Sequence, residues 1–340
     1  MSLKLPRTAV LEMTYRCNHQ CVFCSCPWFS GHYEVLPEID AGEWCQILDE
    51  LKLRKVLSVA FSGGEPLLKE GLFDVMSHAV QLGMGTHLLS NGRIMSDEVL
   101  SFCSENKVQF SLSLPGYQTF SQHTGSDTSP DDILHWFAKA HERGIVTIAG
   151  ITVTNRNLDE LFETIAEALL AGANSILLNR FMPGGRGLLH RDWELNRGQL
   201  IEMLDTAEEV LQTANRYGSV GTELPRCLIE PAKYKNLMIG TRCSAGTHFF
   251  VFDPSGYVRA CNHSEHRLVH WQKLDRLAED PYWNRFINKD YIPPSCQSCA
   301  QVSECDGGCR EAAHVAYGTL DALDPLLWER KSATSPTTIS

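Results

Sequence analysis

Short apolar runs alternate with segments of helical amphipathic spacing through the first two thirds of the chain. Six short apolar runs predict strands, over residues 9–14, 56–62, 87–90, 108–114, 146–153 and 175–181, and the second of them contains β-branched residues. Six segments with apolar residues at helical spacing follow them, over residues 43–53, 72–82, 97–103, 131–143, 158–171 and 199–217. Each predicted strand therefore leads into a predicted helix.

Six strand–helix units predict a parallel sheet, because parallel strands need crossover connections and these are right-handed. Eight units would close a complete TIM barrel, so six predict a partial (β/α)6 TIM barrel with one open side. Ligands of such folds bind at the C-terminal ends of the strands. Several polar and glycine-rich positions lie at the ends of predicted strands or directly after them: Gly63, Gly64, Glu65, Ser90, Asn91 and Ser113. The pattern predicts one shared site at this edge.

The alternation breaks down at about residue 223, where short apolar runs and turns such as Asp253-Pro254-Ser255-Gly256 replace it. Seven of the 13 cysteines lie in this second part. With few amphipathic faces left, metal is expected to supply stabilisation that a core supplies elsewhere. The sequence therefore predicts a barrel domain over residues 1–220, a small cysteine-rich α+β domain over 221–330, and a disordered tail over 331–340.

Composition narrows the possible functions. A net charge of −11 argues against a general nucleic-acid binder, which needs a basic surface to displace counterions. No apolar run reaches the length of a membrane span, and the N-terminus lacks a signal-peptide pattern, so we expect a cytoplasmic protein without a membrane partner. Thirteen cysteines in a reducing compartment indicate metal binding rather than disulfides.

Three cysteines follow the first predicted strand within eight residues: Cys17, Cys21 and Cys24. Thiolates are soft ligands that favour iron–sulfur clusters or zinc. A closed zinc site normally takes four protein ligands, whereas three thiolates leave one iron of a four-iron cluster free for another ligand. The triplet therefore favours a cluster with an open coordination position.

This Cys-x3-Cys-x2-Cys spacing, together with Gly63-Gly64-Glu65-Pro66 after the second strand, resembles the radical S-adenosylmethionine (SAM) enzymes. The resemblance implies a [4Fe-4S] cluster on the three cysteines, with SAM chelating the fourth iron. Reductive cleavage of SAM would yield a 5′-deoxyadenosyl radical that abstracts hydrogen from a substrate. Glu65 would bind the methionine ammonium, Gly63 and Gly64 would allow close backbone approach, and Phe23 would cover the adenine.

Further polar residues at the same edge have two interpretations. Ser90, Asn91 and Ser113 are expected either to contact the ribose and carboxylate of SAM or simply to form turns. Arg180, with the glycine-rich stretch after it, is expected either to bind an anionic group of the substrate or to belong to a plain connection.

The C-terminal cysteines are spaced Cys243-x12-Gly256-x4-Cys261, then Cys296-x2-Cys299-x5-Cys305-x3-Cys309. This resembles the SPASM domain of peptide-maturing radical SAM enzymes, which normally holds two auxiliary [4Fe-4S] clusters. The resemblance implies one or two auxiliary clusters here. One set of ligands would be Cys227, Cys243, Cys261 and Cys309, and the other Cys296, Cys299 and Cys305.

The sequence departs from that family at its last cysteine, which normally follows an Asp-Pro dipeptide. Here Asp324-Pro325 is followed by Leu326 and Leu327, and no cysteine occurs after Cys309. We therefore expect the second auxiliary cluster to take an oxygen or nitrogen ligand from Asp324, Asp321 or His314, to keep an open iron, or to be absent.

The resemblance implies a ribosomally made peptide as substrate, modified by crosslinking, thioether formation, epimerisation or oxidation, and a reductant such as flavodoxin or ferredoxin. Because the first strand begins almost at residue 1, a separate leader-peptide-binding protein is also expected. Two alternatives stay open: modification of tetrapyrrole or haem side chains, since residues 183–187 resemble a loop of such relatives, and a zinc-binding scaffold without catalysis. No residue is indicated as a catalytic acid, base or radical relay.

Overall fold

A ten-stranded sheet organises the part of the chain that the structure, a computed structural model, describes: residues 4–327. Its strands are β1 (Thr8–Glu12), β2 (Ser58–Ser62), β3 (Gly85–Ser90), β4 (Gln109–Ser113), β5 (Thr147–Val153), β6 (Ser175–Arg180), β7 (Tyr217–Val220), β8 (Leu237–Ile239), β9 (Phe249–Phe252) and β10 (Val258–Arg259). The order across the sheet is β10-β9-β1-β2-β3-β4-β5-β6-β7-β8. Only the β9–β10 pairing is antiparallel.

The helices are α1 (Ala41–Leu53), α2 (Leu72–Gln81), α3 (Asp97–Asn106), α4 (Phe120–Thr124), α5 (Pro130–Glu142), α6 (Leu161–Leu170), α7 (Arg197–Ala214), α8 (Pro281–Asn288) and α9 (Arg310–Tyr317). Local sequence explains several boundaries. α5 begins at a capping box of Ser129 and Asp132, with Pro130 in its first turn. α1 and α7 begin at capping boxes too, on Asp40 and Asn196.

The predicted partial barrel is confirmed: β1 to β6 are parallel neighbours in sequence order, and each leads into a helix. One predicted helix was too long. It ends at Ala214, because Asn215 adopts a left-handed φ of 50°, and Tyr217 opens β7 instead. Strands β7 and β8 escaped sequence prediction because they are short, with four and three residues, and show little apolar alternation.

Strands from the cysteine-rich part of the chain complete the other side of the sheet. β9 pairs in parallel with β1, from Thr8 opposite Phe249 to Leu11 opposite Phe252. Phe250 and Phe252 are fully buried in the same hydrophobic core as Leu11. One sheet and one core thus extend across residue 220, while the division into two domains stays a prediction.

Two further sequence expectations concern the C-terminal tail and membrane-spanning helices. The predicted disordered tail, residues 331–340, lies outside the described residues. Between residues 4 and 327, no helix has both the length and the apolar composition needed to cross a membrane.

Candidate active site

The loop after β1 carries the cysteine triplet of Cys17, Cys21 and Cys24 at the C-terminal edge of the sheet. Its backbone is fixed by two other segments of the chain. The amide nitrogen of Val22 donates to the carbonyl of His123 in α4 over 3.0 Å. The amide of Gly187, in the loop after β6, donates to the carbonyl of Cys24 over 3.2 Å. Two distant crossovers therefore hold the triplet in place.

The three thiols lie within range of one another's charge. Burial raises the pKa of Cys17 and of Cys21, and the charge of Cys24 raises both further. A hydrogen bond from the Cys26 thiol lowers the pKa of Cys24 to about 7. Thiolates, rather than thiols, bind metal, so this environment makes Cys24 the thiol most readily converted to a ligand.

No three His, Cys, Asp or Glu side chains between residues 4 and 327 converge on one point as the ligands of a single metal ion do. A four-iron cluster makes a different demand, because each thiolate holds a different iron. The donors present at the triplet, three neighbouring thiols, fit that demand.

Glu65, Ser90 and Asn91 form a buried network that reaches the triplet. Glu65 is fully buried and accepts hydrogen bonds from Ser90 Oγ over 2.9 Å and from the amide of Asn91 over 2.8 Å. The side-chain amide of Asn91 donates to Asn18 Oδ1 over 2.7 Å and lies 3.7 Å from Cys17 Sγ. The structure thus brings together predicted residues from β1, β2 and β3.

The polar chemistry of this network fits a ligand that carries both an ammonium and oxygen acceptors. Burial raises the pKa of Glu65 to about 7, although the hydrogen bonds it accepts lower the pKa in part. Within the described chain, the buried Nδ2 of Asn18 makes no hydrogen bond. Sequence reasoning missed Asn18, although an amide inside a cysteine triplet is a usable signal.

Gly63 and Gly64 lie where two backbone segments approach closely. A side-chain Cβ at Gly64 would lie 2.1 Å from the carbonyl oxygen of Arg16, and one at Gly63 would lie 2.8 Å from that of Thr14. The amides of Gly64 and Glu65 donate to these two carbonyls, each over 2.8 Å. The glycines are therefore needed so that the loop after β2 can pair with the backbone leading to the triplet.

The other predicted SAM contacts lie at the same edge without joining the network. Phe23 has its ring 6.2 Å from that of His123, and Ser113 is exposed at the end of β4. The sequence did not single out Arg186. Its charge lowers the pKa of Cys24 and partly offsets the rise in the pKa of Cys21. Its guanidinium stacks 3.6 Å over the ring of Phe29.

Arg180 does not serve as the anion-binding residue that the sequence suggested. Its guanidinium forms a two-point salt bridge with Asp324, over 3.0 and 2.6 Å, and both side chains are buried. The charge of Arg180 is neutralised within the protein and is not available to a substrate.

Three C-terminal cysteines, Cys243, Cys261 and Cys309, are buried together. Burial raises the pKa of each thiol, and the charge of Glu223 raises all three further. Sequence reasoning missed Glu223, which is an isolated acid with no metal-binding spacing around it. Its Oε1 accepts a hydrogen bond from the amide of Ser244 over 2.9 Å.

Cys227, which the resemblance grouped with Cys243, Cys261 and Cys309, has the other predicted ligands as neighbours in the structure. Cys227 is exposed. Its pKa is raised first by the partial burial of its thiol and then by the charges of Cys305, Cys296 and Cys299. The amide of Arg226, one residue earlier, donates to Cys305 Sγ over 3.4 Å. Cys227 therefore neighbours the second predicted set of ligands.

A cavity of about 340 Å³ opens beside the triplet. Its walls come from the cysteine loop, from the glycine-rich loop after β6 and from the C-terminal part of the chain. It is lined by Ser25, Pro27, His32, Gly184, Gly185, Leu188, Arg191, His263, Glu265, Glu311, His314 and Val315. Its ionisable side chains indicate a polar occupant.

Comparison with known proteins agrees with this geometry. Residues 11–169 match the Radical SAM superfamily. Residues 11–169 are a radical SAM domain. The match includes the end of β1, the triplet, the Glu65 network and strands β2 to β5. The domain marks the chain as an enzyme and implies a [4Fe-4S] cluster and SAM as its cofactors.

The similarity to full-length relatives extends beyond the radical SAM domain. The chain is 24% identical to the PqqA peptide cyclase of Granulibacter bethesdensis over 337 residues, which cover 95% of this chain and 87% of the relative. Streptococcus suis SuiB bound to its precursor peptide SuiA has the same fold, with a TM-score of 0.75 and 16% identity over 95% of this chain and 76% of SuiB. The anSMEcpe structure with bound AdoMet gives a TM-score of 0.72 and 17% identity, covering 94% and 93%.

Proposed function

We propose that this radical SAM enzyme modifies a ribosomally made peptide by hydrogen abstraction, forming a crosslink or thioether, inverting a centre or oxidising the substrate. The observation that carries the proposal is the position of the cavity, which the triplet loop itself lines through Ser25 and Pro27. A substrate bound there lies next to the residues that would hold the cluster and SAM.

The chain's own residues would bind and orient the cofactors. The cluster would be held by Cys17, Cys21 and Cys24. Glu65 would pair with the methionine ammonium, while Ser90 and Asn91 keep the Glu65 carboxylate in position. Bound together, cluster and SAM supply a 5′-deoxyadenosyl radical on one-electron reduction. Phe23 and Ser113 would contact SAM from the loops after β1 and β4.

A peptide is the proposed substrate for two reasons. The relatives that resemble the whole chain include a peptide cyclase and an enzyme solved with a precursor peptide. The cavity also presents two acid–histidine pairs, His32 with Glu265 over 2.8 Å and His314 with Glu311 over 3.3 Å. Such pairs suit the polar backbone and side chains of a peptide segment.

The proposal includes three further components. The C-terminal cysteines would hold auxiliary iron–sulfur clusters, a flavodoxin or ferredoxin would supply electrons, and a separate protein would bind the leader segment of the precursor. Turnover of a full precursor at normal affinity by the isolated enzyme would contradict the leader-binding protein.

SAM cleavage is the first test. Anaerobically reconstituted enzyme with dithionite is expected to form 5′-deoxyadenosine from SAM, measured by mass spectrometry. C17A, C21A and C24A are each expected to abolish product, whereas C45A, which changes a cysteine on α1 outside the site, is the matched control. Zinc with negligible iron in the purified wild type, or no 5′-deoxyadenosine, would refute the proposal.

Substrate class is the second test. Short peptides encoded beside the gene are made with deuterated side chains and incubated with enzyme and SAM. Deuterium in the recovered 5′-deoxyadenosine is expected for a peptide substrate. Transfer from a porphyrin and from no peptide would show that the tetrapyrrole alternative is correct.

A further inference from the structure

The second auxiliary set lacks the cysteine that its family places after an Asp-Pro dipeptide. Leu327 occupies that position and packs against the core. The preceding Asp324 is fully buried, and both of its oxygens are used. Oδ1 accepts from Arg180 and from the amide of Leu326, each over 3.0 Å, and Oδ2 accepts from Arg180 over 2.6 Å and from the amide of Cys309 over 2.8 Å. The Asp324 carboxylate is thus occupied by contacts within the protein and is not free to bind an iron of the cluster.

The other two expected ligands are also engaged elsewhere. His314 pairs with Glu311 and lines the cavity beside the triplet loop. Asp321 accepts a hydrogen bond from Thr319 and lies 3.5 Å from the guanidinium of Arg285. A fourth ligand from another part of the chain would leave all of these contacts intact.

A cysteine from the segment between β7 and β8 lies in a suitable place. The amide nitrogen of Arg226 is 3.4 Å from Cys305 Sγ, and the Arg226 guanidinium is 2.8 Å from Glu304. Backbone geometry then keeps the Cα of Cys227 within about 5 Å of that amide nitrogen. The neighbouring Leu228 and Ile229 are buried, which anchors the turn that presents Cys227.

Short-range hydrogen bonds fold the segment that carries the three family cysteines of this set. The amide of Cys299 donates to the carbonyl of Cys296 over 3.0 Å, and the amide of Gly307 donates to Cys305 Sγ over 3.3 Å. The sulfur of Cys305 thus accepts hydrogen bonds from two backbone N–H groups, one of Arg226 and one of Gly307. Hydrogen bonds of this kind to cluster sulfurs stabilise the thiolate form.

We propose that Cys227 is the fourth thiolate of the second auxiliary cluster, together with Cys296, Cys299 and Cys305. The inference rests on the proposed function only in assuming that the C-terminal cysteines bind iron. It leaves Cys243, Cys261 and Cys309 as a three-thiolate set, with the Glu223 carboxylate close to all three.

Iron content of paired variants tests this grouping. The full-length protein is reconstituted anaerobically, and iron and acid-labile sulfide per chain are measured with the EPR spectrum of the reduced form. C227A and C299A are each expected to lose about four irons, the content of one cluster. The double variant C227A/C299A should lose no more than either single variant, whereas C227A/C243A should lose about twice as much. C45A should keep the wild-type content.

Other results overturn the proposal. If C227A keeps the wild-type iron content, the proposal is wrong. The proposal is also wrong if the iron lost by C227A adds to the iron lost by C299A but does not add to the iron lost by C243A. Circular dichroism and gel filtration identify any variant that fails to fold, and C227D supplies a second measurement. An oxygen ligand there should retain iron with an altered EPR spectrum, so an unchanged spectrum contradicts the proposal.

The same preparations separate this inference from the proposed function. Formation of 5′-deoxyadenosine by the wild type depends on the triplet and decides the radical chemistry. The iron pattern of the variants decides the grouping of Cys227 whether or not SAM is cleaved. A wild-type chain that binds no iron contradicts both.

Discussion

At the scale of single residues, the site depends on backbone contacts that a motif does not reveal. Gly63 and Gly64 occur where two strand ends pair through their main chains, and the atoms that a side chain would meet there belong to residues 13–16. Glu65 follows directly and is oriented by donors from the next strand. A change at Gly64 therefore acts on Glu65 and on the triplet at once.

G64A is expected to disrupt this pairing, because its Cβ would lie 2.1 Å from a backbone oxygen that cannot move freely. Overpacking of this kind typically costs about 1–3 kcal/mol. The free energy of unfolding in urea and the iron bound by the triplet should both fall. G150A, whose Cβ would have an ordinary 3.6 Å contact in β5, is the control and should change both less. Equal effects in the two variants would contradict the assignment.

His87, which lies outside the site, is expected to make the stability of the protein depend on pH. Burial lowers the pKa of His87 to about 4, from an ordinary value of 6.5. Between these values the unfolded chain binds more protons, so stability present above pH 6.5 is lost as the pH falls toward 4. H87Q is expected to weaken this dependence, measured as unfolding free energy against pH. An unchanged slope would exclude His87 as a contributor.

At the scale of elements, a buried ion pair joins the last barrel strand to the cysteine-rich part. Arg180 ends β6, and Asp324 follows α9 by seven residues, yet the two meet with both side chains covered. Asp324 also fixes the amide of Cys309, at the start of α9. The pair thereby places one predicted cluster ligand relative to the barrel.

D324N is expected to destabilise the protein by about 3–5 kcal/mol, because it leaves a buried guanidinium without its counter-charge. The double variant R180L/D324L removes both charges and should recover part of that loss. Urea denaturation measures each free energy. E279Q, which breaks an exposed pair with Arg276, should change stability by at most about 1 kcal/mol. A double variant less stable than D324N would contradict a dominant charge effect.

At the scale of the whole molecule, the parallel sheet and the cysteine-rich part are not separate in space. β9 covers the edge of β1, and its residues Phe250 and Phe252 enter the barrel core. The strand that leads to the triplet therefore has neighbours from both parts of the chain. This arrangement links the predicted SAM site to the predicted auxiliary clusters through one β-sheet.

A chain ended at residue 220 is expected not to fold stably, because it would expose the edge of β1 and remove Phe250 and Phe252 from the core. Soluble yield, near-ultraviolet circular dichroism and gel filtration measure the outcome. A chain ended at residue 327 is the control and should behave like the full protein. A soluble, cooperatively unfolding 1–220 fragment would show that the two parts fold independently.

Sequence alone determined the features that depend on local pattern. Apolar periodicity predicted β1 to β6 with their helices, because the 2.0 and 3.6 residue repeats follow from backbone geometry. Cysteine spacing predicted the triplet, because its three ligands lie on one short loop. Glu65 and Asn91 were expected at the same edge, since parallel strands end together.

Only the tertiary structure decided which distant groups meet. It joined Arg180 to Asp324, which are 144 residues apart, and so removed one predicted anion site and one predicted metal ligand. It placed Cys227 near Cys305, whereas the family resemblance had implied the other set. Nothing local encodes such contacts, because they arise from packing of segments whose order in space is set by the complete sheet.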